Sequence, residues 1–261
     1  MKKLVLLLFI ASFSVVSSQN QKLTSLKIDS IRFDGDAFLG YDSFGFYYSI
    51  KNNVFSKINT RDTLEYKNIS LGKITKVDLQ NPLKIVLFYE NFNTVIILDN
   101  QLNETQKINF SESIIPIVAI GIASQNQLWI YNSMNQQLGL YDYLNKEYKT
   151  ISVPFTESIK NYSSDFNVFH WVDNKNNWYV CDIFGKIISK GIIPDFDSIA
   201  IINESQFIYS KDSVLILQDL EKGKKTEIEI SEKTFKKFYY KDQILSIFTS
   251  AGITNYKITI P

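Results

Sequence analysis

One short unit recurs through this chain: an apolar and aromatic run, a polar turn, and a second apolar run that usually ends in Asp. Its clearest copy is IVLFYENFNTVIILD at residues 85–99. Others are LWIYNSMNQQLGLYD (128–142), FHWVDNKNNWYVCD (169–182) and QFIYSKDSVLILQD (206–219). Weaker copies are GFYYSIKNNVFSKIN (45–59) and LSIFTSAGITNYKIT (245–259). Each reads as two antiparallel strands joined by a tight loop, centred near 91–93 in the clearest copy. The units end at positions 59, 99, 142, 182, 219 and 259, a spacing of about forty residues.

A period near forty built from strands is the mark of a β-propeller or a related β-repeat array. One small twisted sheet cannot hide both faces, whereas copies packed in a ring cover each other. The expected fold is therefore all-β, a propeller of four-stranded blades, most simply six, with five left open by an irregular fourth repeat. In each repeat the hairpin is the middle pair. Lead strands are expected at 73–79, 114–123, 163–168, 198–202 and 235–240, and trailing strands at 105–110, 147–153, 186–193 and 226–230. The polar segment 154–165 reads as a loop, with room for one helical turn at 157–162. The first lead strand is placed at 30–33. The sixth repeat lacks a fourth strand before the chain ends, and residues 23–28 (LTSLKI) have no place in the first repeat. They are expected to close the ring by pairing with 252–258, which removes an open edge.

Residues 1–18 read as a secretory signal peptide: Lys2 and Lys3, then an apolar run over 4–13 too short to span a bilayer, then Val16 and Ser18 before a cleavage point at Gln19. The mature chain, 19–261, is expected to be one exported propeller domain without direct membrane insertion. Lys and Arg number 28 against 27 Asp and Glu, a balance that argues against a nucleic-acid binder. The single cysteine, Cys181, excludes an intrachain disulfide, so stability must come from packing.

Chemistry has few candidates. His170 is the only histidine, and it shares a hairpin with Cys181, which raises a Cys–His dyad; a packed histidine and a small core cysteine are the simpler reading. Asp34, Asp36 and Asp42 are spaced for oxygen ligation but lack a full calcium-loop pattern. The hairpin-ending Asp99, Asp142, Asp182 and Asp219 read as turn residues that bond their own backbone. No catalytic residue, metal ligand or cofactor site is assigned. The stretch DGDAFLGYDSF (34–44) reads as a long aromatic loop. Its Phe38, Tyr41 and Phe44 form either an exposed interaction patch or a cap on the core.

The segment SSQ at the signal cleavage point, the hairpin IVLFYENFNTVIILDNQLNETQKINF and the Asn/Ile/Lys-rich blades resemble exported propeller-type proteins of the Bacteroidetes, among them the Plug family of the type 9 secretion system. The likeness is one of texture across the mature chain and carries no diagnostic motif. It implies a periplasmic, non-enzymatic interaction protein peripheral to the outer membrane, whose partner is a large outer-membrane β-barrel of the SprA type and whose work is to close that barrel's periplasmic side. The alternatives are a carbohydrate-binding propeller, using aromatic platforms, and a propeller glycan hydrolase, using carboxylates that only the fold brings together.

Overall fold

The computed structural model describes residues 22–260 and shows a six-bladed β-propeller. The signal-peptide expectation lies outside the described residues. Two strands precede the first blade, β1 (Lys22–Thr24) and β2 (Leu26–Ile31). Blade 1 holds β3 (Ala37–Tyr41), β4 (Tyr47–Lys51), β5 (Val54–Ile58) and β6 (Thr63–Tyr66). Blade 2 holds β7 (Lys76–Asp78), β8 (Ile85–Tyr89), β9 (Thr94–Leu98) and β10 (Glu104–Asn109). Blade 3 holds β11 (Ile117–Ile122), β12 (Gln127–Asn132), β13 (Gln137–Asp142) and β14 (Glu147–Thr150). Blade 4 holds β15 (Ile159–Ser164), β16 (Val168–Asp173), β17 (Asn177–Asp182) and β18 (Ile187–Ile192). Blade 5 holds β19 (Ser198–Ile201), β20 (Gln206–Lys211), β21 (Val214–Asp219) and β22 (Lys224–Glu229). Blade 6 holds β23 (Lys237–Lys241), β24 (Ile244–Phe248) and β25 (Ile253–Lys257). A single 3-10 turn, Glu90–Phe92, is the only helical element among the described residues.

The hairpin strands are rich in apolar residues because both of their faces are covered. In β8, Ile85, Leu87 and Tyr89 face blade 1, while Val86 and Phe88 face blade 3. Repeating this around the ring produces six clusters, one at each junction between neighbouring blades. Trp129 and Trp171 fill the junction of blades 3 and 4, and Trp178 that of blades 4 and 5. The junction of blades 6 and 1 is aromatic: Phe38 and Phe248, with Phe33, Tyr41, Tyr47 and Tyr239 packed against them.

The ring closes at that junction, as expected, with a shift of register. β2 completes blade 6 by antiparallel pairing with β25, Leu26 opposite Lys257 and Ile31 opposite Ile253. The closing strand thus begins at Leu26 and not at Leu23. Residues 22–24 instead add a parallel fifth strand to blade 5, with Leu23 opposite Ile228. Side chains account for the choice. Lys22 meets Glu227 and Glu229 on the alternating outer strand β22, and Leu23 packs into the core between blades 5 and 6. On β25, the Asn255 amide donates to Asp29 Oδ1 at 2.7 Å and Tyr41 Oη at 2.9 Å, and Asn255 accepts from Ser246 Oγ. One asparagine therefore ties together the closing strand, the last blade and the first.

Two other expectations are corrected. The lead strand of blade 1 is Ala37–Tyr41, so 34–44 is an inner strand and its turn, and 30–33 ends the closing strand. The lead strand of blade 4 is Ile159–Ser164, where a loop or a helical turn was expected. Inner strands face the central channel on one side, so polar residues such as Asn161, Ser163 and Ser164 are compatible with a strand there.

Candidate functional site

The three residues of the proposed patch do not form one surface. Phe38 is 8% exposed and makes edge contacts with Phe33, Tyr41 and Tyr239 at centroid distances of 5.4–6.1 Å. Tyr41 is half-buried, with its hydroxyl on Asn255, and burial pushes its pKa up. Only Phe44, at the tip of the turn after β3, is exposed. Phe38 and Tyr41 both pack at the closing junction although they are three residues apart, because a register shift between Phe38 and Gly40 interrupts the alternation of β3.

The acidic residues are engaged in their own turns. Asp34 pairs with Lys51, Asp36 accepts the Asn52 N–H, and Asp42 accepts from Phe44 N, Phe46 N and the Tyr48 hydroxyl. Each hairpin-ending Asp caps the turn it begins. Asp99 accepts N–H groups of Gln101 and Asn103, Asp142 those of Leu144 and Asn145, Asp182 those of Phe184 and Lys186, and Asp219 that of Lys222.

The pleat separates His170 from Cys181. Cys181 lies opposite Phe169 in the β16–β17 ladder and faces blade 3; His170 lies opposite Val180, one position on, and so faces blade 5. Burial lowers the His170 pKa, and its Nδ1 is buried without a partner. Burial pushes the Cys181 thiol up to about 12. A thiol held protonated in a sealed core is a poor nucleophile. Cys181 is accordingly expected to resist maleimide at pH 8 in the folded protein and to react fully in guanidinium. Rapid labelling of the native protein, followed by mass spectrometry, would contradict this placement.

The inner strands of all six blades surround a channel with a cavity of about 930 Å³. Two glycines shape it. A Cβ on Gly121 would fall 1.9 Å from Ser164 Oγ and 3.2 Å from Asp78 Oδ2, so its bare backbone lets blades 2 and 4 meet in front of blade 3. A Cβ on Gly40 (φ +124°) would strike the Tyr239 ring at 2.4 Å, so Tyr239 of blade 6 lies flat on blade 1. Lys76 reaches across from β7 and places its ammonium 4.4 Å from the centre of the Tyr162 ring. Burial lowers the pKa of Lys76 and raises that of Asp78, whose carboxylate accepts the N–H groups of Gln80 and Ile122. Of the other carboxylates at the cavity, Asp165 and Asp182 cap turns, Glu204 pairs with Lys190, and Asp242 stands in the left-handed turn after β23. A general acid and an opposed base or nucleophile, as glycoside hydrolysis requires, are not set out by these groups.

A second feature lies on one end of the ring, where the turns within hairpins meet the links between blades. Asn93 joins them in blade 2: its side chain donates to Ile115 O and accepts from Ile117 N, both at the link into blade 3. Asn53 does the same with Gly72 O and Ile74 N. Ser133 N donates to Pro116 O, and Phe155 N to Gln136 O. On this connected series of loops stand Ile69, Phe92, Ile114, Met134 and Val153, each between 48% and 84% exposed. They form an arc over blades 2 to 4, interspersed mainly with Ser, Asn and Gln. Ile114, at its centre, has φ +54°. A β-branched residue in the left-handed region is strained, on the order of 1–3 kcal/mol, and here no burial offsets the strain. The opposite end also shows apolar tips, including Leu83, Leu144 and Phe184, but these stand beside Lys84, Lys146 and Lys186, and none of the three has left-handed backbone. The arc is invisible in the repeat pattern because its residues belong to loops.

No protein-family model matches the chain, and no curated protein does. Solved structures match over nearly its whole length. Virginiamycin B lyase from Staphylococcus aureus is 10% identical, covers 95% of this chain and 98% of its own, and has a TM-score of 0.58. The WD40 β-propeller domain of Doa1 is 10% identical, with coverages of 95% and 96% and a TM-score of 0.58. A Bacteroides thetaiotaomicron protein of unknown function is 12% identical, with coverages of 92% and 73% and a TM-score of 0.60. At these identities the likeness establishes the β-propeller fold, which hosts an enzyme in one case and a WD40 domain in another.

Proposed function

We propose that this chain is a non-enzymatic interaction module exported to the bacterial cell envelope, and that the arc around Ile114 is the surface that seats against a protein partner. The observation that carries the reading is a strained, exposed Ile among five exposed apolar side chains at one end of a closed ring. Together the five side chains expose several hundred Å², at the upper end for a monomer's largest patch and approaching one side of a standard interface. The near absence of net charge in these loops also disfavours an anionic membrane as the surface bound. The finer reading is that the partner is a large outer-membrane β-barrel of the SprA type, whose periplasmic side the disc closes. A hydrolase is the weaker reading, since four of the five channel carboxylates are engaged in turns, backbone contacts or an ion pair, and burial lowers the pKa of His170 at the cavity wall.

The test is capture of the tagged mature protein from native envelopes in mild detergent, alongside the Ile114→Asp variant. Wild type is expected to recover a large outer-membrane barrel in near-equal amount. The variant should lose at least about tenfold of it, the loss of a central contact worth ~1.4 kcal/mol, with a melting temperature equal to or above that of wild type because Asp tolerates the left-handed backbone. Equal recovery by both proteins would remove the arc from the interface. Recovery by neither would remove the barrel reading.

A further inference from the structure

We infer that the channel mouth formed by Lys76 and Lys237 is an anion site that takes a carboxylate-bearing ligand. It lies on the same end of the ring as the arc but stands on separate observations. Each inner strand runs from the end bearing the interblade links toward the other, so Lys76, which lines the cavity, and Lys237 open β7 and β23 at the same end of the ring.

Among the described residues no carboxylate lies within 4.0 Å of either ammonium, whereas the buried Lys57 and the largely buried Lys190 pair with Asp42 and Glu204. Asp78, the nearest acid on the same strand, sits one turn of the pleat deeper and has both oxygens occupied by backbone N–H groups. What holds Lys76 in place is the Tyr162 ring at 4.4 Å, itself fixed by the Ile120 N–H on its hydroxyl and by stacking on Phe169. A cation oriented on an aromatic face and left without a counter-ion is preorganised for one. The cavity below, about 930 Å³, falls within the range of small-molecule sites and has the Tyr239 ring on a further wall. Burial depresses the Lys76 pKa and the Lys237 charge adds to it, against a partial offset from Asp78, so a bound anion would stabilise the charged form.

Citrate is a suitable probe. It is expected to bind by calorimetry with a dissociation constant on the order of 0.1 mM, and Lys76→Met should weaken it about tenfold or more, while Lys76→Arg retains most of the affinity. A second readout uses only the wild-type protein: acetylation of Lys76, followed by peptide mass spectrometry, should slow when citrate is present, while exposed lysines such as Lys149 are unaffected. If citrate neither binds nor protects Lys76, or binds without protecting it, the assignment is overturned. The source of the natural carboxylate is read from partner capture with Lys76→Met. Unchanged recovery points to a free small molecule, and lost recovery to an acidic side chain or terminus of the partner; each presupposes the citrate result.

Discussion

Deletion of residues 22–31 is expected to lower the melting temperature by roughly 10–20 °C and to turn a monomer into higher assemblies. The deletion removes β1 and β2 and leaves blade 6 with three strands. Ile31 leaves the aromatic junction of blades 6 and 1, and Leu23 leaves the core between blades 5 and 6. Asn255 loses Asp29, one of the two acceptors of its amide. Two half-buried apolar side chains at about 1 kcal/mol each, together with the lost pairing of β2 with β25 and of β1 with β22, give a cost on the order of 5 kcal/mol. For a chain of this size about 1 kcal/mol moves the melting temperature by 2–4 °C, which sets the expected range. The bare edge of β25 is then free to pair with another chain, so size-exclusion chromatography should show association. Removing residues 22–24 alone should cost only about 1–2 kcal/mol, because those residues add a strand to a blade that is already complete. A monomeric deletion protein with the wild-type melting temperature would mean that the ring does not depend on this closure.

How much of this was readable in advance depends on which side of each strand is covered. The hairpin strands are buried on both faces, so the apolar runs at 85–89 and 94–98 stand out in the sequence and gave the correct period and blade number. Inner strands have one side on the channel. Lys76 and Asp78 in β7, or Asn161 and Ser163 in β15, look like loop residues until the ring exists, which is why β15 and β3 were misplaced. The closing strand was identified but shifted by three residues, because its register is set by partners more than two hundred positions away, Glu227, Glu229 and Asn255. The hairpin alone could not decide whether Cys181 lay opposite 169 or 170, and that one-residue difference sends His170 to the other face of the blade. The channel site brings together blades 2, 4 and 6, and the arc runs along loops, so neither leaves a local motif.

The second large effect is expected at Asp42, where alanine should cost about 3–5 kcal/mol while Lys57→Met costs about 1 kcal/mol or less. The two residues form a buried ion pair at 3.9 Å beneath the turn after β3. Their supports are unequal. Asp42 also accepts the Phe44 and Phe46 N–H groups at 2.8 and 3.0 Å and the Tyr48 hydroxyl at 2.8 Å. Lys57 has the Asn100 carbonyl at 3.0 Å and lies over the Phe46 ring at 4.5 Å. Without Asp42, the turn loses both caps, the Tyr48 hydroxyl is orphaned, and a buried ammonium keeps a single carbonyl acceptor. Without Lys57, the carboxylate still has three donors, and Met fills much of the volume. Leaving a buried charge uncompensated is the expensive outcome, so the order of the two single variants follows from which partner keeps other contacts. The double variant should be less destabilised than the sum of the singles by about 1–2 kcal/mol, because the charge stranded by Asp42→Ala is no longer present. Urea titrations of the four proteins measure the whole cycle. A Lys57→Met variant as damaged as Asp42→Ala would show that the ion pair, and not the capping of the turn, holds this end of blade 1 together.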